Sequence, residues 1–238
     1  MLLHSLFDAL ALAASILVYR LLPVPGAAIA TPWRAHRSYV STASLGATLG
    51  AYLFGSLNLW LTGIDGFGRS IEGALAGAVV AIELLKRHAG IAGSTGVRLA
   101  VPLAVAIAVG RIGCYLAGLD DMTYGTPTSL PWGVDFGDGI PRHPVQLYES
   151  ATMACFAIGL AILIRRGNAL AVRAGFYLFV GTYAAQRFVW EFLKPYGTVA
   201  GPFNLFHLLS AALVAYAFVF TRQEMPGPWR SHPSSPRG

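Results

Sequence analysis

The chain has little charge and almost no cysteine. Of its 238 residues only 11 are Asp or Glu and only 12% are charged, while 55% are hydrophobic, and its mean hydropathy is positive. A soluble domain carries about 25% charged residues, so this composition excludes an ordinary water-facing surface and points to a membrane protein. Two cysteines, Cys114 and Cys155, both lie inside apolar stretches. They exclude a disulfide framework and offer no metal cluster. No repeat of about 20–50 residues is visible, which argues against a solenoid and against the paired halves of many secondary transporters.

What is present is a series of seven apolar stretches, each long enough for a helix that crosses a hydrocarbon layer needing about 20 residues. They are Leu6–Leu22, Tyr39–Leu61, Ser70–Leu85, Leu99–Ala117, Tyr148–Ile164, Ala174–Leu193 and Phe203–Phe220. The expected fold is therefore an all-α integral membrane protein of seven transmembrane helices. One membrane domain spans residues 1–221, with a small outward-facing loop or head subdomain at about 118–147. The first stretch lacks a basic leader and carries His4 and Asp8, so it reads as a retained span and not as a cleaved signal. The segment 222–238 is rich in Pro and Ser and reads as a disordered cytoplasmic tail.

The formal charge of +6 resembles a nucleic-acid signal until the 17 Lys and Arg are placed on the seven spans. Twelve fall on one side: Arg20, Arg34, Arg37, Lys86, Arg87, Arg98, Arg165, Arg166, Arg173, Arg222, Arg230 and Arg237. Arg69, Arg111, Arg142, Arg187 and Lys194 fall on or near the other. The excess marks the cytoplasmic face. The amino terminus is then outside, the carboxy terminus cytoplasmic and the 118–146 segment outward, which requires an odd number of spans. No nucleic-acid partner follows from this basicity. The pairs Gly46/Gly50 and Gly73/Gly77, each four residues apart, read as close helix packing.

Polar residues inside the apolar stretches mark the chemistry. An arginine at a bilayer centre costs roughly 2.5–3.5 kcal/mol on insertion scales, so it needs a partner or a task. Arg111 has no acidic residue within a turn, and Glu149, Glu72 or an anionic ligand are the candidates to face it. Tyr183, Arg187 and Glu191 lie four residues apart on one helical face. Arg187 and Glu191 read equally as an intrahelical pair and as part of a site. Two arginines converging near one leaflet suit a phosphate, which guanidinium groups bind through bidentate hydrogen bonds. A phospholipid headgroup is the anion that membrane lipids supply. Glu72, early in the third span, reads either as a general base or as counter-charge to Arg111 or Arg69. His143, between Arg142 and Pro144, reads as structural or as a proton shuttle. Gln146, Tyr148 and Glu149 follow it within two turns. His207 reads as a packed, hydrogen-bonded histidine or as a further member of the same cavity.

Gly110-Arg111-Ile112-Gly113-Cys114, Tyr124-Gly125, Arg142-His143-Pro144-Val145-Gln146-Leu147-Tyr148-Glu149 and Arg187-Phe188-Val189-Trp190-Glu191-Phe192, in that order, resemble the signatures of prolipoprotein diacylglyceryl transferases. The resemblance runs from roughly residue 70 to residue 210. It implies a seven-span enzyme of the bacterial plasma membrane. Such an enzyme moves the diacylglyceryl group of phosphatidylglycerol to the lipobox cysteine of a prelipoprotein, forming a thioether and releasing glycerol phosphate. It further implies Arg111 and Arg187 as the phosphate-stabilising pair, Glu191 as the residue holding Arg187, and Arg142, His143, Gln146, Tyr148, Glu149 and Tyr183 as the surrounding site, with no metal or organic cofactor. The family's usual His-Gly-Gly is here Glu72-Gly73-Ala74, which makes Glu72 the substitute base; a usual asparagine is Cys114, and a usual Asn-Gly is Ala117-Gly118. The alternative is a family member with altered or lost catalysis that binds or transports phospholipid.

Overall fold

A computed structural model describes residues 2–24 and 38–225. Within them every apolar stretch contains a helix: α1 Leu2–Leu21, α2 Tyr39–Leu61, α3 Ile71–His88, α4 Val97–Ala117, α5 Val145–Arg165, α6 Ala169–Glu191 and α7 Leu205–Glu224. By length and composition four of these regions are apolar enough to cross a membrane: His4–Leu21, Val97–Asp121, Val145–Arg165 and Leu205–Glu224. In α2, α3 and α6 hydroxyl, amide or charged side chains interrupt the apolar ones. The basic positions Arg34, Arg37, Arg230 and Arg237 lie outside the described residues. So does most of the expected tail, whose first three residues belong to α7.

α4 forms the centre of the bundle and packs against α1, α5 and α6. Its small residues Val97, Ala100, Val101, Ala104 and Ala108 make one buried face, following the three-and-four spacing of a helix. They meet Met153, Ala157, Leu160 and Ile164 of α5 and Phe179, Val180, Tyr183 and Ala184 of α6. Arg111 continues the same face one turn beyond Ala108, so its guanidinium is carried into the bundle and not out to lipid. On the flanks, Leu6, Leu10, Leu12 and Leu17 of α1 and Leu45, Leu49 and Leu53 of α2 are exposed. An apolar belt of this kind is tolerable when hydrocarbon is the solvent.

α2 and α3 touch backbone to backbone. A Cβ on Gly50 or on Gly77 would fall on the carbonyl of Gly73 or of Gly46, which is the close approach expected of paired glycines. Gly77→Val is therefore expected to cost about 3 kcal/mol, the upper range for overpacking, because backbone and not a side-chain tip must yield. Loss of folded protein in detergent, read as a lowered melting temperature, checks this.

Successive helices alternate in direction, which gathers the amino-terminal ends of α3, α5 and α7 and the carboxy-terminal ends of α4 and α6 at one end of the bundle. The amino-terminal turn of α1 lies there too, since His4 contacts Cys114 and Asp121. The segment between α4 and α5 covers this end as a small head. It opens with the 3-10 turn Gly118–Asp121 and contains a two-residue antiparallel ribbon, β1 Val134–Asp135 with β2 Pro141–Arg142. The rest is held by turns, such as Asp135 accepting from the backbone N–H groups of Gly137 and Gly139. Gly125 lets the head close on the membrane domain, for a Cβ there would strike the backbone and side chain of His143.

Candidate active site

Local signals set up each functional side chain. Ser70 caps α3 by accepting from the Gly73 N–H at 3.1 Å, which places Glu72 in the first turn, where the helix dipole favours a carboxylate. α5 starts at Val145, earlier than its apolar run suggests, so Gln146 and Glu149 are helical and aimed inward instead of belonging to the head. Asn204 caps α7 reciprocally: its side chain accepts from the His207 N–H at 3.1 Å and its own N–H donates to His207 Nδ1 at 3.2 Å. A capping box of this kind satisfies two otherwise unpaired donors.

Six charged groups from these elements converge under the head. Arg187 donates from one terminal nitrogen to Glu149 Oε1 at 2.6 Å and from the other to Glu191 Oε2 at 2.7 Å. Arg111 Nε pairs with Glu149 Oε2. Lys194 Nζ lies 2.9 Å from Glu149 Oε1 and 3.9 Å from Glu191 Oε2. Asn204 donates to the remaining Glu191 oxygen at 2.9 Å. Glu72 accepts from the Ser210 hydroxyl at 2.5 Å, and its second oxygen lies 3.5 Å from Arg187 Nε without a hydrogen bond. All six are buried. The cluster holds three cations, Arg111, Arg187 and Lys194, against three carboxylates, Glu72, Glu149 and Glu191. Desolvating charges is tolerable only with such mutual pairing.

The three carboxylates are not equivalent. Glu149 serves three cations, and Glu191 has both oxygens engaged. Glu72 has one oxygen buried without a hydrogen bond and only one cation near it, at the longer distance. It is the member with a lone pair to give. The amide of Gln146 and the hydroxyl of Tyr183 are also buried without hydrogen-bond partners among the described residues. An unsatisfied buried polar group costs about 1–3 kcal/mol, so these groups are suited to a bound polar substrate.

The intrahelical Arg187–Glu191 pair expected from spacing forms, and of the candidate partners for Arg111 it is Glu149 that faces it. Glu72 pairs with Arg187, not with Arg111 or Arg69. Arg142 stays in the head: it donates to Asp138 at 2.6 Å and lies over the Tyr124 ring. The bond holds the Asp138 carboxyl below its ordinary range. His143 is half-buried, with Nδ1 3.4 Å from the Tyr148 hydroxyl, which accepts from Trp132 Nε1 at 2.8 Å. Tyr148 also rests against Trp190. These residues form an aromatic seam between head and bundle, apart from the charge cluster. His207 is packed among Phe188, Phe192 and Phe203.

Lys194, Asn204 and Ser210 were not legible as site residues. Lys194 stands three residues after Glu191, a spacing that signals the pair; Asn204 is recognisable as a cap; Ser210 carries no signal. Asn204→Ala removes both a cap and a Glu191 partner. It is expected to cost about 1–2 kcal/mol, read as a drop in melting temperature. A separate apolar cavity of about 250 Å³ lies near Glu83, Lys86, Tyr177 and Tyr216, at the opposite end of the helices.

Comparison with known proteins gives one family. Residues 27–222 match the family model described as prolipoprotein diacylglyceryl transferase. A phosphatidylglycerol–prolipoprotein diacylglyceryl transferase of Geobacter sulfurreducens is 34% identical over 181 residues, covering 70% of this chain and 67% of that protein. Proteins of the same name from Methylocella silvestris and Nitratidesulfovibrio vulgaris are 30% and 34% identical. They are covered over 62% and 59% of their lengths, with 67% and 63% of this chain in the match. No solved structure matches the chain.

Proposed function

The chain belongs to the prolipoprotein diacylglyceryl transferase family, and from that premise we propose that it transfers the diacylglyceryl group of phosphatidylglycerol to the cysteine thiol of a prolipoprotein. The observation that carries the reading is the buried, charge-balanced cluster in which Glu72 keeps an oxygen that makes no hydrogen bond and has a single cation, Arg187, 3.5 Å away. In the reaction the thiol proton passes to Glu72, and the sulfur attacks the glyceryl carbon that bears the phosphate ester. The new C–S bond forms as the C–O bond breaks, its electron pair leaving on glycerol phosphate. Protonating Glu72 turns the cluster from neutral to singly positive. The departing phosphate gains one negative charge in the same step, so cluster and leaving group develop opposite charge together.

Arg111 and Arg187 sit as the pair that receives the phosphate, with Glu149 and Glu191 fixing their planes. Gln146 and Tyr183 supply hydrogen bonds to the lipid's polar groups. His143, Tyr148 and Arg142 position the head over the acceptor peptide and take no proton from it. The protein is a multi-pass protein of a bacterial plasma membrane with seven crossings, amino terminus outside and carboxy terminus cytoplasmic. The charge asymmetry supports this orientation: of the five basic residues on the head side, Arg111, Arg187 and Lys194 are consumed in the cluster. Residues 1–221 form one membrane domain, with the segment after it as a cytoplasmic extension.

The test is reconstitution of the purified protein with isotopically labelled phosphatidylglycerol and a lipobox peptide. Thioether peptide and glycerol phosphate are expected in equal amounts. Lipid retained with no glycerol phosphate released would instead make the chain a phospholipid-binding protein.

A further inference from the structure

Outside the charge cluster, a second group of ligating side chains meets at the head end of the bundle. His4 from the first turn of α1, Cys114 from the last turn of α4 and Asp121 from the 3-10 turn place one nitrogen, one sulfur and one oxygen within 4.8 Å of one another. His4 Nε2 is 3.1 Å from Asp121 Oδ1 and 3.8 Å from Cys114 Sγ. In a tetrahedral zinc site with bonds of about 2.05 Å to nitrogen and oxygen and about 2.3 Å to sulfur, those edges measure about 3.3 and 3.6 Å. The two edges that meet at His4 are therefore within a few tenths of an ångström of those of a zinc site.

The surroundings repeat the pattern of bound metals. His4 Nδ1 lies 3.0 Å from Asp8 Oδ2, the second-shell carboxylate that fixes the tautomer and orientation of a metal-bound imidazole. Thr123 donates to Asp121 Oδ2 at 2.5 Å, which leaves Oδ1 for another partner. His4 has a carboxylate at each ring nitrogen, Asp8 at Nδ1 and Asp121 at Nε2. Arg111 Nη1 lies 3.9 Å from Cys114 Sγ, and a coordinating metal ion is itself what deprotonates a thiol ligand. With Cys114 as thiolate and Asp121 ionised, a divalent ion makes the group neutral.

The geometry points to His4, Cys114 and Asp121 as three protein ligands of a Zn²⁺ ion, with Asp8 orienting His4 and a fourth position open to water. The donor set of thiolate, imidazole and carboxylate selects zinc over magnesium or calcium. Its ligands join α1 to the outer end of α4 and the start of the head, a link that counting cysteines cannot reveal because only one is used. The site stands on its own geometry and not on the transferase reading.

The test uses the full chain, without an affinity tag, purified in detergent, stripped with a chelator and equilibrated with Zn²⁺ or Co²⁺. About one zinc per chain is expected, and the cobalt form should show a thiolate-to-metal charge-transfer band. Cys114→Ser should abolish the band, and His4→Ala should cut zinc retention by about 100-fold. Asp8→Asn should weaken binding by about 10–100-fold, whereas Cys155→Ser, which changes an exposed cysteine, should leave it unchanged. Helical circular dichroism shows that each variant is folded, and Cys114→Ala serves if the serine variant is not. Zinc no higher than a metal-free blank, or equal retention by the wild type and the folded His4 and Cys114 variants, overturns the proposal.

Discussion

Replacing Arg187 with alanine is expected to abolish turnover, with a fall in kcat of about 10²–10³-fold from the lost stabilisation of the leaving phosphate. Arg187 is the hinge of the cluster, since its guanidinium faces Glu72, Glu149 and Glu191 at once. Without it three buried carboxylates face two cations, so a stability loss of about 3–5 kcal/mol accompanies the loss of rate. Arg187→Lys separates the two effects. It restores the charge, and with it most of the melting temperature, but an ammonium cannot address three carboxylates and a phosphate in one plane. Activity should therefore stay low while stability recovers. Initial-rate kinetics alongside thermal melting in the same detergent checks both halves of the prediction.

Glu149→Gln should have an effect on folding as large as that of Arg187→Ala. The carboxylate bridges Arg111, Arg187 and Lys194, and it is 1% exposed. Glutamine fills nearly the same volume but leaves three buried cations against two carboxylates. A loss of about 3–5 kcal/mol is expected for a broken buried network of this kind. Glu149→Asp keeps the charge and shortens the reach, so it should be milder. Arg142→Ala is the contrasting case: its partner Asp138 lies in the head, away from the cluster, and an exposed, solvent-screened pair contributes little to stability. Comparing the three melting temperatures tests whether the buried network or the head dominates stability.

The helical framework was legible because each stretch is long, apolar and bounded by polar turns. The boundaries erred where tertiary contacts extend a helix past its apolar run. α5 gains Val145-Gln146-Leu147 at its start because Gln146 turns into the bundle, and α7 continues through Arg222. The arginine face of α6 was readable from four-residue spacing. Which carboxylate meets Arg111 was not, because Glu149 is 38 residues away and only packing of α5 on α4 brings it there. Spacing also could not separate Arg142, which the ribbon turns back toward Asp138, from the buried arginines. Ser210, from α7, reaches Glu72 of α3 across the bundle, and no local pattern announces such a contact. His4 escaped for the same reason, since Cys114 and Asp121 lie more than a hundred residues away.

The most direct measurement of the central claim is the pH dependence of kcat/KM for the wild type and for Glu72→Gln in the reconstituted transfer assay. If Glu72 accepts the thiol proton, the variant should lose about 10²-fold near neutral pH, a usual contribution of general-base catalysis. The deficit should shrink as pH rises past about 8.5, where a free cysteine ionises without help. A deficit that stays constant across the whole range, or no deficit at all, would contradict the account.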